Sequence, residues 1–191
     1  ADSKKQVELN PSLVLIDDDV RNELYDLIFP VLQQRNIPIT SALISSRIDN
    51  HENTITYDQF KEMKDSGLVE YVNHTHEHVH LDELTEEEID YQIRMCEEWL
   101  ENEGIYTRHL VYPFGRYNET IRKIASKYVD SATIYGGAVF NPSSQIMDSY
   151  LIQRVQFEES LSTLQGHMDT AKNNNGLLII NRHSQYETFS V

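Results

Sequence analysis

Leu13-Val14-Leu15-Ile16, running straight into Asp17-Asp18-Asp19, is the stretch that decides the fold. Four apolar residues with no polar alternation read as a strand buried on both faces, the pattern of a parallel sheet covered by helices. The three carboxylates then fall at the strand's C-terminal end, where parallel α/β folds build their sites. One aspartate can serve as a helix N-cap, because Leu24, Leu27, Ile28, Val31 and Leu32 recur at helical spacing just beyond. Three adjacent acids repel one another, and the third invites a cation.

Outward from this stretch the chain alternates strand and helix. Further strands are expected at residues 37–44, 68–72, 109–112, 128–133, 150–157 and 177–180. A short helix is expected at 56–64, stopped by Gly67. A longer one opens with Thr85 and Glu88 as a capping box and Leu84 with Ile89 as a staple. Its stripe Ile89, Ile93, Cys96, Trp99 and Leu100 is core-facing, Trp99 being core rather than a sugar platform, and Gly104 ends it. A helix from Asn118 or Glu119 to about Lys127 follows. Another carries Leu161, Leu164, Met168 and Ala171 and stops at Asn173-Asn174-Asn175-Gly176. Residues 1–12 read as a linker and 136–149 as loop. This alternation predicts a parallel α/β sheet or barrel in one domain over residues 13–191.

Composition narrows the function classes. A net charge of −15 over 191 residues argues against nucleic-acid binding, which needs Lys and Arg on phosphates. It suits a neutral or cationic substrate. No apolar run approaches the roughly 18 residues of a membrane helix. Cys96 is the single cysteine, so neither an internal disulfide nor a thiolate cage for zinc is available.

The second conspicuous stretch is Asn73-His74-Thr75-His76-Glu77-His78-Val79-His80, which holds four of the eight histidines. If a helix begins near His74, then His74 and His78 share one face and can present two imidazoles to one metal ion. A His-rich surface loop without a metal is the other interpretation of the run by itself.

Four pieces in order carry a resemblance: Asp18-Asp19-Val20, His74-Thr75-His76-Glu77-His78, Tyr112-Pro113-Phe114-Gly115, and His183 after the apolar run 177–180. Together they resemble the polysaccharide deacetylases of carbohydrate esterase family 4, over residues 13–184. The resemblance implies a distorted (β/α)7-type barrel of parallel strands with outer helices. It implies metal-dependent hydrolysis of N-acetyl groups on a glycan such as peptidoglycan, a chitin-like polymer or poly-N-acetylglucosamine. In that scheme Asp19, His74 and His78 hold one divalent ion, Zn²⁺ foremost, with Co²⁺, Ni²⁺ or Mn²⁺ as alternatives. Asp18 is the general base, His183 the general acid, and the Phe114 N–H an oxyanion donor. Tyr112 and Pro113 shape the substrate side. An extracellular or cell-wall setting is implied, either alone or as part of a larger multidomain or phage-associated protein.

The departures are specific. The gapless register, counted back from Leu24-Tyr25 and Phe29-Pro30, pairs Asp18-Asp19 and sets Val20 where the family has Gly. A second register pairs Asp17-Asp18. Val111 stands where many members carry an Arg that organises the base; Arg154 is the candidate replacement, with a structural salt bridge as its other role. His76 and His80 are extra to the motif and are expected at the surface. A non-catalytic carbohydrate-binding domain that keeps the barrel is the alternative function.

Overall fold

A computed structural model describes residues 10–136, 148–157 and 160–183. Seven parallel strands close into a barrel in sequence order. They are β1 (Ser12–Asp18), β2 (Ile39–Leu43), β3 (Val69–Asn73), β4 (His109–Val111), β5 (Ser131–Tyr135), β6 (Ile152–Gln156) and β7 (Leu177–Arg182). Closure is made by β1 against β7, with Ser12↔Leu177 through Asp17↔Arg182 in register. The distorted barrel expected from the resemblance is therefore the observed architecture.

Five helices cover the outside: α1 (Phe29–Arg35), α2 (Tyr57–Asp65), α3 (Glu86–Asn102), α4 (Glu119–Ala125) and α5 (Leu161–Asn173). Their starts follow from local chemistry. Thr56 with Gln59 and Thr85 with Glu88 form capping boxes on α2 and α3, and Asn118 and Ser160 cap α4 and α5. Each cap satisfies an otherwise orphaned backbone donor and contributes about 1 kcal/mol. Gly67 sits at φ +70° just past α2.

Two layers of apolar packing follow from strand alternation. Ile16, Ala42, Val72, Val111 and Ile179 meet inside the barrel. Leu15 and Leu43 face outward, Leu43 into a cluster with Leu24, Phe60 and Leu100 that Trp99 packs against, with the Trp99 ring edge-on to Phe60 at 5.0 Å. Cys96 is buried and its thiol donates to the Leu43 carbonyl; burial pushes that thiol up to about 12. It is a packing residue, as expected.

Several expectations shift. β5 begins at Ser131, not residue 128, because Tyr128 and Val129 donate back to Ala125 and finish the α4 turn. In the segment after β1, a π turn (Leu24–Ile28) precedes α1, and Leu27 and Val31 face solvent while Leu24, Ile28 and Leu32 are buried. On α5, Ala171 is buried while Leu161 is 79% exposed. The loop expectation at 136–149 falls mostly outside the described residues. No helix among the described residues is long and apolar enough to cross a membrane.

Candidate metal centre

Strand alternation sorts the three aspartates. Asp18 shares the inward face with Ile16, whereas Asp17 lies on the outward side, with its Oδ2 3.4 Å from Arg182 Nε on β7. Asp19 lies beyond the strand at φ +77°, and Val20 follows at φ +49°. A β-branched residue is strained in that left-handed region, where the family's glycine would not be. Val20 is nonetheless fully buried among Leu24, Ile48 and Ile55, so its side chain fills core that a glycine would leave empty.

The histidine run is a loop, which corrects the expected helix start near His74. Asn73 Oδ1 accepts from the Thr75 N–H at 2.8 Å, and Thr75 Oγ1 accepts from the His78 N–H at 3.1 Å. Thr75 and His78 both take positive φ, 68° and 58°. The two imidazoles thus converge by a tight backbone reversal, their centroids 4.7 Å apart, and not by helical spacing. The loop is braced from α3: the Gln92 carbonyl accepts from His76 N–H, and its side-chain oxygen accepts from Glu77 N–H. Asn73 Nδ2 donates to Glu97, a buried acid whose pKa burial raises.

Asp19, His74 and His78 offer one ligand atom each, all within 4.8 Å of one another. His74 Nδ1–H donates to the Val111 carbonyl at 2.7 Å, which assigns the lone pair to Nε2. That Nε2 is buried with no hydrogen-bond partner, as is Asp19 Oδ1, 3.7 Å away. His78 Nε2 lies 3.4 Å from the same oxygen. Burial holds His74 below the usual imidazole range against the pull of Asp18 and Asp19. Burial and the neighbouring His74 push His78 down to about 3. The His74 Nε2 lone pair and Asp19 Oδ1 set one buried acceptor against another, at a cost that a cation relieves. One carboxylate and two imidazoles are a donor set that suits zinc, and the residues fit such an ion.

Beside this triad Arg154 on β6 reaches across to β1. Its Nη1 donates to Asp18 Oδ1 at 2.8 Å, and both side chains are 1% exposed. Burial alone would raise Asp18, but Arg154, His74 and His183 together hold its carboxyl below the usual range. His183 Nε2 stands 3.6 Å from Asp18 Oδ2. Arg154 therefore forms the salt bridge in the very place where it can organise Asp18.

Phe114 sits at φ +58°, and its ring stacks on His80 at 4.0 Å and leans on His78 at 4.5 Å. His80 is thus part of the wall, and His76 Nδ1 pairs with Ser45 Oγ at 2.8 Å; both correct the expectation that these two are surface bystanders. Pro113 is buried at the start of the turn. The Tyr112 ring does not reach the centre: it packs in the outer layer with Leu81 and Ile89. Tyr135 is a residue that sequence patterns did not single out. Its ring lies 4.6 Å under the Arg154 guanidinium and blocks any side chain at Gly115, where a Cβ would meet it at 2.5 Å.

The fold and site define a class: a parallel barrel whose C-terminal mouth carries a candidate three-donor cation site next to an ion-paired carboxylate. The polysaccharide deacetylase family model matches residues 5–129, and the chain belongs to that family. A poly-beta-1,6-N-acetyl-D-glucosamine N-deacetylase of Staphylococcus epidermidis is 29% identical over 123 residues, 58% of this chain and 43% of that protein. The chain thus spans less than half the length of that relative. Among solved structures, a Streptococcus pyogenes deacetylase in complex with acetate superposes with a TM-score of 0.72 at 22% identity, covering 81% of this chain and 69% of that one. A family 4 carbohydrate esterase from Streptomyces lividans, also in complex with acetate, gives 0.58 at 18% identity, covering 88% and 91%. These two likenesses are of fold.

Proposed function

We propose that the chain is a metal-dependent deacetylase that hydrolyses N-acetyl groups of a glycan. The observation that carries this is the Asp18–Arg154 pair set beside the Asp19, His74 and His78 donors at the mouth of the barrel. Those three residues would hold the ion, Zn²⁺ by preference, with Co²⁺, Ni²⁺ or Mn²⁺ compatible with imidazole and carboxylate donors. When bound, such an ion supplies Lewis acidity to a water and to the acetyl carbonyl.

The remaining work falls to the protein. Arg154 keeps Asp18 ionised and aimed, so Asp18 takes the proton of the attacking water. Phe114, in its left-handed turn after Pro113, turns its backbone N–H to the carbonyl oxygen as negative charge develops there. His183 delivers a proton to the departing nitrogen as the C–N bond breaks, so the products are acetate and a free amino sugar. Tyr112 contributes by supporting the turn from the outer layer.

The S. epidermidis relative's name specifies poly-β-1,6-N-acetylglucosamine, which makes that polymer, chitin-like oligomers and peptidoglycan the substrate classes to try. An extracellular or cell-wall setting follows from such substrates, and a place in a larger multidomain or phage-associated protein is compatible with the partial span. The test is acetate release from this panel by the chain loaded with Zn²⁺ or Co²⁺. A folded, fully metal-loaded chain that releases no acetate from any of them would sink the proposal in favour of a binding domain.

A further inference from the structure

Two arginines stand at the same mouth with no ion pair among the described residues, although the charge of Asp19 is felt by Arg47. Arg21 directly follows the acidic turn and bridges to Thr54 in an antiparallel pair. Arg47 ends the 3-10 turn Ser45–Arg47 after β2. The two loops are laced together: Asn22 N–H donates to the Asn53 carbonyl, Ile55 N–H to the Val20 carbonyl, and Thr54 Oγ1 to the Arg47 carbonyl at 2.9 Å. Ser46 N–H donates to the His76 carbonyl, which ties Arg47's turn to the histidine loop. Arg47 is close enough for its charge to act on Arg21, Asp19 and His78.

The contrast with the other arginines is what makes this pair informative. Arg94, Arg108, Arg116, Arg122, Arg154 and Arg182 each sit on a carboxylate. Among the described residues, Arg21, Arg35 and Arg47 form no ion pair, although the chain has 31 acids to 16 bases. Arg35 is exposed at the end of α1, whereas Arg21 and Arg47 are partly buried at the mouth. Asp49, near Arg47 in sequence, instead accepts from the Tyr57 N–H through its Oδ1. The Arg21 Nε is buried and has no hydrogen-bond partner. Two half-buried guanidinium groups beside one another repel, and an unpaired buried donor is costly. An anion seated between them removes both penalties. Each guanidinium offers parallel N–H groups that match a planar carboxylate.

We propose that Arg21 and Arg47 form a subsite for a carboxylate carried by the glycan, on a sugar neighbouring the one whose acetyl group enters the metal centre. This rests on the deacetylase proposal and sharpens it. The net negative charge favours neutral chains in general, and the arginine pair selects locally for an acidic sugar.

Binding can be read without turnover in the Asp18→Asn variant. Calorimetry would compare a neutral N-acetylglucosamine tetramer with a tetramer alternating N-acetylglucosamine and N-acetylmuramic acid. The acidic tetramer should bind roughly 10-fold tighter or more, as charged hydrogen bonds allow. Adding Arg21→Gln and Arg47→Gln should bring the ratio to parity, while Arg21→Lys and Arg47→Lys, which keep the charges, should hold most of it. Equal binding of the two tetramers, or a preference that survives in the Gln variant, overturns the subsite. Acetate release by the unsubstituted chain is scored separately. Carboxylate selectivity without acetate release by the metal-loaded chain from either tetramer or from poly-β-1,6-N-acetylglucosamine would overturn the deacetylase proposal and leave a carboxylate-binding site standing.

Discussion

Replacing Arg154 with Met keeps the length of the stem and removes the charge that faces Asp18. Both side chains are 1% exposed and joined at 2.8 Å, so the change leaves a buried carboxylate without its partner. Breaking a buried pair in this way costs about 3–5 kcal/mol, which lowers Tm by roughly 6–20 °C for a chain of this size. The sign of the pH dependence follows from Asp18. In the unsubstituted chain its folded pKa lies below the unfolded value, so it adds stability above the unfolded pKa and loses it as pH falls through the folded one. Without Arg154 burial becomes the dominant influence, the folded pKa rises, and protonation relieves the buried charge. The deficit of Arg154→Met should therefore shrink as pH falls from neutral towards about 4. The assay is urea unfolding with a chelator present, on the unsubstituted chain, Arg154→Met, Asp18→Asn and the double variant. The double variant should be more stable than Arg154→Met by about 1–3 kcal/mol, since it no longer buries a lone charge. Strictly additive losses, or a deficit that does not change with pH, would refute the assignment of Arg154 as the counter-charge of Asp18.

Other outcomes follow from the same site. His74→Ala with His78→Ala should bind no zinc by metal analysis, while Asp18→Asn should retain zinc and lose roughly 10²–10⁴-fold in acetate release. Retention of metal by the double histidine variant would contradict the donor set. Val20→Gly should relieve about 1–2 kcal/mol of left-handed strain yet lose about 2–4 kcal/mol of buried packing. A net destabilisation of about 0–3 kcal/mol is expected in denaturant, and a more stable variant would count against Val20 as core. Burial, with the charge of Arg154, pushes His109 down to about 4. A folded pKa below the unfolded one means stability is complete above about 6.5 and falls as pH drops towards 4. His109→Gln should flatten that part of the stability curve.

The barrel was legible because its signal is local. A short apolar run such as Leu177-Leu178-Ile179-Ile180, set off by the turn residues Asn173 to Gly176, reads as a buried strand, and the capping boxes at Thr56 and Thr85 mark helix starts within a turn. The candidate donors could be picked out only through the motif resemblance, since nothing in their types alone separates His74 from His76. The histidine loop was not legible as a loop. Its shape comes from Asn73 and from Gln92 on α3, distant in sequence, and its positive φ angles fall on Thr75 and His78, where no glycine advertises them. Leu161 misled because an apolar residue at helical spacing has no obligation to be covered. Tyr135 escaped notice for a similar reason: its position under Arg154 depends on the strand register of β5 against β6, which residue patterns do not encode.

The reach of Arg154 to Asp18 spans 136 residues of chain, whereas the three donors span only Asp19 to His78. The centre is thus divided by contour length. The candidate ion-holding part belongs to the acidic turn after β1 and the loop after β3, inside the portion that the family model matches. The part proposed to handle protons is completed only when β6 and β7 have come home and the ring is shut, since Arg154 and His183 both arrive last. A chain cut short before β6 would keep every donor and still lack the charge that sets Asp18. Under the proposed mechanism, competence for proton transfer would be a signature of the finished barrel, and the capacity to hold a metal would not.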